Sequence, residues 1–145
     1  MRTERVLPPL LDEDVSIRLV KGAYLEPASI AYASRSDVDA AYLRLARRMV
    51  GHARSPGRRT ARYAFATHDD AMHAALREDG LDRGAGCEIQ MLYGIRPAAQ
   101  RELADVRVPH RILIAYGTHW FPWYMRRLAE RPANAWFLVR SLLAR

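Results

Sequence analysis

The feature that most constrains this sequence is an alternation of period. Short apolar runs of strand length are each followed by a segment with helical spacing, and the pair recurs about every 30 residues, the length of a βα unit. Val15 to Val20 reads as the first strand. After the turn-like Lys21-Gly22-Ala23 and a Pro-containing connection comes a helix over Asp37 to Val50, in which Val38, Ala41, Tyr42, Leu45 and Met49 share one face. Ser36 or Asp37 suits its N-cap. The second unit has a strand at Arg62 to Ala66, the link Thr67-His68-Asp69, and a helix over Asp70 to Glu78 that Gly80 ends. In the third, a strand at Glu88 to Leu92 and a Tyr93-Gly94 turn lead to a helix with Pro97 in its first turn, where proline's missing N–H costs nothing. The fourth joins a strand at Arg111 to Ala115 to a helix over Pro122 to Arg131 that Pro132 stops. Such repetition predicts an α/β protein with a parallel sheet flanked by helices. It leaves open whether the sheet is doubly wound or part of a barrel. With 145 residues and no linker, the chain is about half of the ~250 residues of a (β/α)8 barrel.

Several classes are excluded early. No apolar run approaches the ~18 residues of a membrane span, and the start, MRTERVLPPLLDED, has acidic residues where a signal peptide needs its apolar stretch. The expectation is a cytoplasmic protein. The single cysteine, Cys87, rules out an internal disulfide and reads as a small buried apolar residue at a strand start. A net charge of +7 would ordinarily favour a nucleic-acid partner, but the 23 basic residues are 22 arginines and one lysine, scattered along the chain. The one dense stretch, Arg54 to Arg62, contains Gly and Pro and reads as a solvated loop, so no nucleic-acid partner is expected. The lone lysine, Lys21, stands out against that background, because ammonium and guanidinium are not interchangeable donors.

In parallel architectures ligands collect at the carboxyl ends of the strands. Here those ends carry a polar and aromatic set: Lys21 and Tyr24, Thr67 and His68, Gln90 and Tyr93, Thr118 and His119, with Arg126 and Arg127 in the last helix. No dinucleotide or P-loop fingerprint is present, since Gly84-Ala85-Gly86 precedes a strand. His52, His73 and His110 lack metal spacing and read as surface or helix-edge residues. His119 reads as a loop residue near a strand end, and the cluster Trp120-Phe121-Pro122-Trp123-Tyr124 as core packing.

Four segments in this order, Arg18-Leu19-Val20-Lys21-Gly22-Ala23-Tyr24, Phe65-Ala66-Thr67-His68, Glu88-Ile89-Gln90-Met91-Leu92-Tyr93-Gly94 and Met125-Arg126-Arg127-Leu128-Ala129-Glu130-Arg131-Pro132-Ala133-Asn134, resemble the FAD-dependent proline dehydrogenases, the monofunctional bacterial type in particular. The resemblance covers almost the whole chain. It implies a distorted (β/α)8 TIM barrel of which residues 1–145 form the C-terminal half, with strands five to eight and their helices as one partial domain. The implied activity is oxidation of L-proline to Δ1-pyrroline-5-carboxylate by hydride transfer to the flavin, with quinone as the next electron acceptor and peripheral contact with the membrane. The flavin carries the chemistry, and the protein supplies binding and electrostatics.

Carried over residue by residue, Arg18 matches the arginine near the flavin N5, and Val20, Lys21, Gly22, Ala23 and Tyr24 match the wall around the ring. Thr67, His68, Gln90 and Arg35 match further cofactor contacts, although the family often has Asn where Asp69 stands. Arg126 and Arg127 match the pair that holds the substrate carboxylate, with Glu130 as their helix partner. At i+4 and i+3 from them, Glu130 can orient either guanidinium. Leu19 and Tyr24 are further substrate candidates.

Two positions depart from the family's pocket: Leu113 and Trp123 stand where tyrosines are usual. The family's first four strands, with a lysine that pairs with substrate, have no counterpart here, and Lys21 belongs to the flavin-side motif instead. A half barrel would expose two unpaired edges and an apolar inner face, so the isolated chain is expected to be inactive. Three origins compete: a misassigned start, a decaying remnant, or one half of a split enzyme needing a partner chain for the N-terminal half-barrel. A non-catalytic flavin-binding or interaction module is the rival function.

Overall fold

The computed structural model describes residues 2–21, 27, 29–32, 34–57, 60–81, 86–118 and 120–122. Their elements run α1 (Arg2–Asp12), β1 (Ile17–Val20), α2 (Arg35–Arg54), β2 (Tyr63–Ala66), α3 (Asp70–Glu78), β3 (Cys87–Leu92), α4 (Pro97–Asp105) and β4 (His110–Leu113). The first and last strands are shorter than their apolar runs, which reach Val15 and Ala115. Apolar length overstates a strand where its outer residues find no ladder partner.

Helix starts follow side-chain caps. Ser34 accepts the amide of Asp37, so α2 begins two residues before the expected start, and neither Ser36 nor Asp37 is its cap. Asp69 caps α3 through the amide of Ala71, and Gly80 ends it at φ +86, a conformation in which a side chain would be strained. Helix α1 was not expected, because Pro8 and Pro9 lie inside it and each removes a backbone donor. Leu7 and Leu11, one turn apart, offset that loss by burying themselves in the core. Residues 120–122 are helical, which agrees with a helix in the fourth unit; its remainder lies outside the described residues.

The four strands are parallel and lie in the order β1-β2-β3-β4, each beside its neighbour in sequence. A doubly wound sheet reverses direction at a switch point; this one does not. Right-handed crossovers that keep advancing the same way put every connecting helix on one face. The core agrees: Leu19, Tyr63, Phe65, Cys87, Ile89 and Met91 form one buried cluster with Leu7 and Leu11 of α1, Tyr42, Leu45, Ala46 and Met49 of α2, Met72 and Leu76 of α3, and Leu103 of α4. This is the one-directional winding of a βα barrel.

Because strand side chains alternate, the opposite, inner face carries Arg18, Val20, Ala64, Ala66, Glu88, Gln90, Leu92, Arg111 and Leu113. The inner face is therefore mixed, where an apolar one was expected. Four of the nine residues are charged or amide-bearing, and hydrogen bonds join them.

Candidate functional site

Arg18 stands on β1 and Gln90 on β3, with β2 between them. Its Nε nonetheless donates to Gln90 Oε1 at 2.7 Å. The crossing is possible because β2 presents only Ala64 and Ala66 on this face, leaving a low floor beneath the guanidinium. Gln90 Nε2 donates to Glu88 Oε1 at 2.6 Å, and Arg111 Nη2 to Glu88 Oε2 at 3.0 Å. A polar chain thus spans the sheet from β1 to β4. Glu88 and Arg111 were not among the expected site residues; the two-residue period from Gln90 and Leu113 was the signal available for them.

At the strand ends, Lys21 is 8% exposed, and its Nζ lies 2.6 Å from Asp69 Oδ2 and 2.6 Å from Asp39 Oδ1. The Asp69 contact is a hydrogen bond, whereas Asp39 meets the ammonium as an ion pair away from the hydrogen-bonding direction. Burial tends to raise the Asp69 carboxyl, but the Lys21 hydrogen bond and charge, with the amides of Ala71 and Met72, outweigh it and hold the group below its usual range. Lys21 therefore ties the end of β1 to α2 and to the cap of α3. Arg35, largely exposed, lies 3.7 Å from the same Asp69 oxygen.

Thr67 is buried, and its hydroxyl accepts the amide of Asp69. His73 is also buried and donates Nε2–H to Thr67 O at 3.0 Å, which corrects its expected surface position. Burial holds its imidazole below the usual range. His68 Nε2 accepts the amide of Leu92 at 2.9 Å, so the neutral ring carries its proton on Nδ1 and joins the ends of β2 and β3. Arg96 braces the same turn by donating to His68 O and pairing with Asp70.

Arg18, Val20, Gln90 and Leu113 share the inner face, and Lys21, Arg35, Thr67 and His68 gather at its upper rim. Leu19 does not join them. Strand parity turns its side chain into the helix-facing core at 8% exposure, which removes it as a substrate-contacting side chain. Trp120 and Phe121 are not core either: they form an edge-to-face pair at 5.6 Å and are about half exposed. Gly22, Ala23, Tyr24, Trp123, Arg126, Arg127 and Glu130, with His119, lie outside the described residues.

A parallel sheet wound in one direction, with helices on one face and a hydrogen-bonded polar set on the other, is the arrangement of a partial βα barrel, the class in which ligands collect at the carboxyl ends of the strands. The chain belongs to the proline dehydrogenase family: the model of that family, described as Proline dehydrogenase, matches residues 11–140. It is 41% identical over 131 residues to the proline dehydrogenase of Deinococcus radiodurans, covering 88% of this chain and 40% of that protein. To proline dehydrogenase 1 of Bacillus subtilis strain 168 it is 40% identical over 131 residues, 88% of this chain and 41% of that protein. To proline dehydrogenase 1 of Bacillus subtilis subsp. natto the figures are 37% over 145 residues, 98% and 46%. The chain thus spans less than half the length of these curated relatives.

Proposed function

We propose that these residues supply the flavin-side part of a proline dehydrogenase, which oxidises L-proline to Δ1-pyrroline-5-carboxylate with FAD as cofactor and quinone as the acceptor that follows. The observation that carries the reading is the Arg18–Gln90 pair over the alanine floor, at two positions that match the family's flavin contacts. A flat ring with hydrogen-bonding edges needs such a surface, low in the middle and polar at the rim, and the residues present fit it. When bound, FAD supplies the acceptor for the hydride from the proline ring carbon next to nitrogen.

The chain's own residues do the rest. Arg18 uses only Nε in its described contacts, which leaves both Nη groups for the ring edge. Gln90 holds that guanidinium still. Val20, with Gly22, Ala23 and Tyr24, forms the wall; Lys21 fixes the strand end from which the wall departs; Thr67, His68 and Arg35 line the rim. Arg126 and Arg127 bind the substrate carboxylate, oriented by Glu130, and Tyr24, Leu113 and Trp123 pack against the proline ring.

The reaction is proposed for the complete barrel, with the remaining strands on the same or a partner polypeptide, and the present strands alone are read as inactive. Electron delivery to quinone is proposed to use peripheral contact from the cytoplasmic side; no described helix is long and apolar enough to cross a membrane. A second reading, a flavin-binding module without turnover, is favoured by one observation: Leu113 brings no hydroxyl to the inner face. Proline-dependent dye reduction decides between them. The chain with FAD and a polypeptide supplying the relatives' first four strands is expected to reduce dye with L-proline and not with D-proline. Flavin binding with no proline-dependent reduction in that mixture would refute the dehydrogenase reading.

A further inference from the structure

We infer that Glu88 is a positioning residue: it pins the amide of Gln90 with its oxygen turned toward Arg18, and so sets where the Arg18 guanidinium stands. The consequence for flavin rests on the function proposed above; the relay itself does not. A glutamine amide has two orientations of nearly equal shape, and its neighbours decide between them. Here Nε2 meets Glu88 Oε1 at 2.6 Å, and a carboxylate can only accept. Oε1 must then face Arg18 Nε, where it accepts at 2.7 Å. The reversed amide would set donor against donor at Arg18 and oxygen against oxygen at Glu88.

Arg111 completes the device. Through Ala64, Glu88 lies in the same register row as Arg18, so a direct ion pair between them is the obvious competitor. Arg111 instead takes the second carboxylate oxygen at 3.0 Å, and Glu88 is committed on both sides. Arg18 is left with a neutral partner and keeps its charge for a ligand, whereas a carboxylate beside it would have cancelled much of that charge.

The test uses the full chain without ligand. Glu88→Gln preserves shape but can donate as readily as accept, so Gln90 is no longer pinned. Hydrogen exchange of the Arg18 Nε–H, followed by 15N NMR and assigned by its loss in Arg18→Lys, is expected to quicken about tenfold. Gln90→Leu, which removes the acceptor, sets the upper limit, and Arg111→Gln should give a smaller change of the same sign. A Glu88→Gln rate equal to the parent's, while Gln90→Leu exchanges fast, overturns the inference. FAD titration of the same variants reads the site role. Weaker binding in Glu88→Gln supports it, and unchanged binding overturns it. Absence of FAD binding by the parent chain overturns the proposed function and the site role together, whatever the exchange rates.

Discussion

Lys21→Met keeps the length and apolar stem of the side chain and removes its charge, leaving two carboxylates that face each other. Breaking a fully buried ion pair costs about 3–5 kcal/mol, because the partner is left charged and unpaired. The Asp39 and Asp69 side chains are 26% and 23% exposed, so water relieves part of that penalty. The expected loss is about 2–3 kcal/mol, or about 5–10 °C in Tm for a domain of this size. Urea unfolding at several pH values measures it and also tests the cause. The Asp69 carboxyl is held below its usual value in the folded chain. Its contribution is therefore fully present above the unfolded value near 4 and is lost as pH falls through the folded value. The gap between parent and variant should be full at pH 7 and close below about pH 4. A gap under about 0.5 kcal/mol at pH 7, the size of an ordinary surface substitution, would contradict a stabilising role for the Lys21 ion pairs. So would a gap that does not change with pH.

Three further outcomes follow from the same contacts. Burial lowers the His73 pKa, so between the folded and unfolded values the unfolded chain binds more protons; stability should fall as pH drops through about 6.5, by up to about 1.4 kcal/mol per pH unit, and His73→Gln should flatten that slope in urea titrations. Burial pushes the Cys87 thiol up to about 11, so an aromatic disulfide reagent should react slowly with native protein and rapidly in denaturant; fast native reaction would contradict its place in the core. Ala66→Leu raises the floor beneath Arg18 and should weaken FAD at least about tenfold, and because Ala66 is itself buried the larger side chain should also cost about 1–3 kcal/mol of stability, as equilibrium dialysis and calorimetry would report.

Much of the fold was legible because its signals are local. The bounds of α3 follow from an aspartate cap and a glycine that only a left-handed turn requires, and both stand in the sequence. The period of α2 likewise put Val38, Ala41, Tyr42, Leu45 and Met49 on one face, and all but the half-buried Val38 are buried. Helix α1 was hidden by Pro8 and Pro9, whose local cost is outweighed by tertiary burial of Leu7 and Leu11. The βα period alone left a doubly wound sheet and a barrel open; the barrel was implied by the family resemblance, and the strand order β1-β2-β3-β4, which no local pattern encodes, agrees with it.

The site was legible by residue type more than by role. The lone lysine marked a place where a compact ammonium is needed, since it sits between two carboxylates from different elements, but nothing local identified Asp39 and Asp69 as its partners. Leu19 shows the opposite failure: its neighbours Arg18 and Val20 face the inner surface, and strand parity alone excludes it. Glu88 and Arg111 could have been found by the same parity. Their pairing to each other depended on the register of β3 with β4.

The most direct test of the inner face as a flavin site is an equilibrium FAD titration of the chain, read by quenching of flavin fluorescence, with Arg18→Met alongside. Saturable binding of one FAD per chain is expected, weakened at least about tenfold in the variant through loss of a charge-assisted contact. Absence of saturable binding, or equal affinity in Arg18→Met, would contradict a flavin site on the inner face.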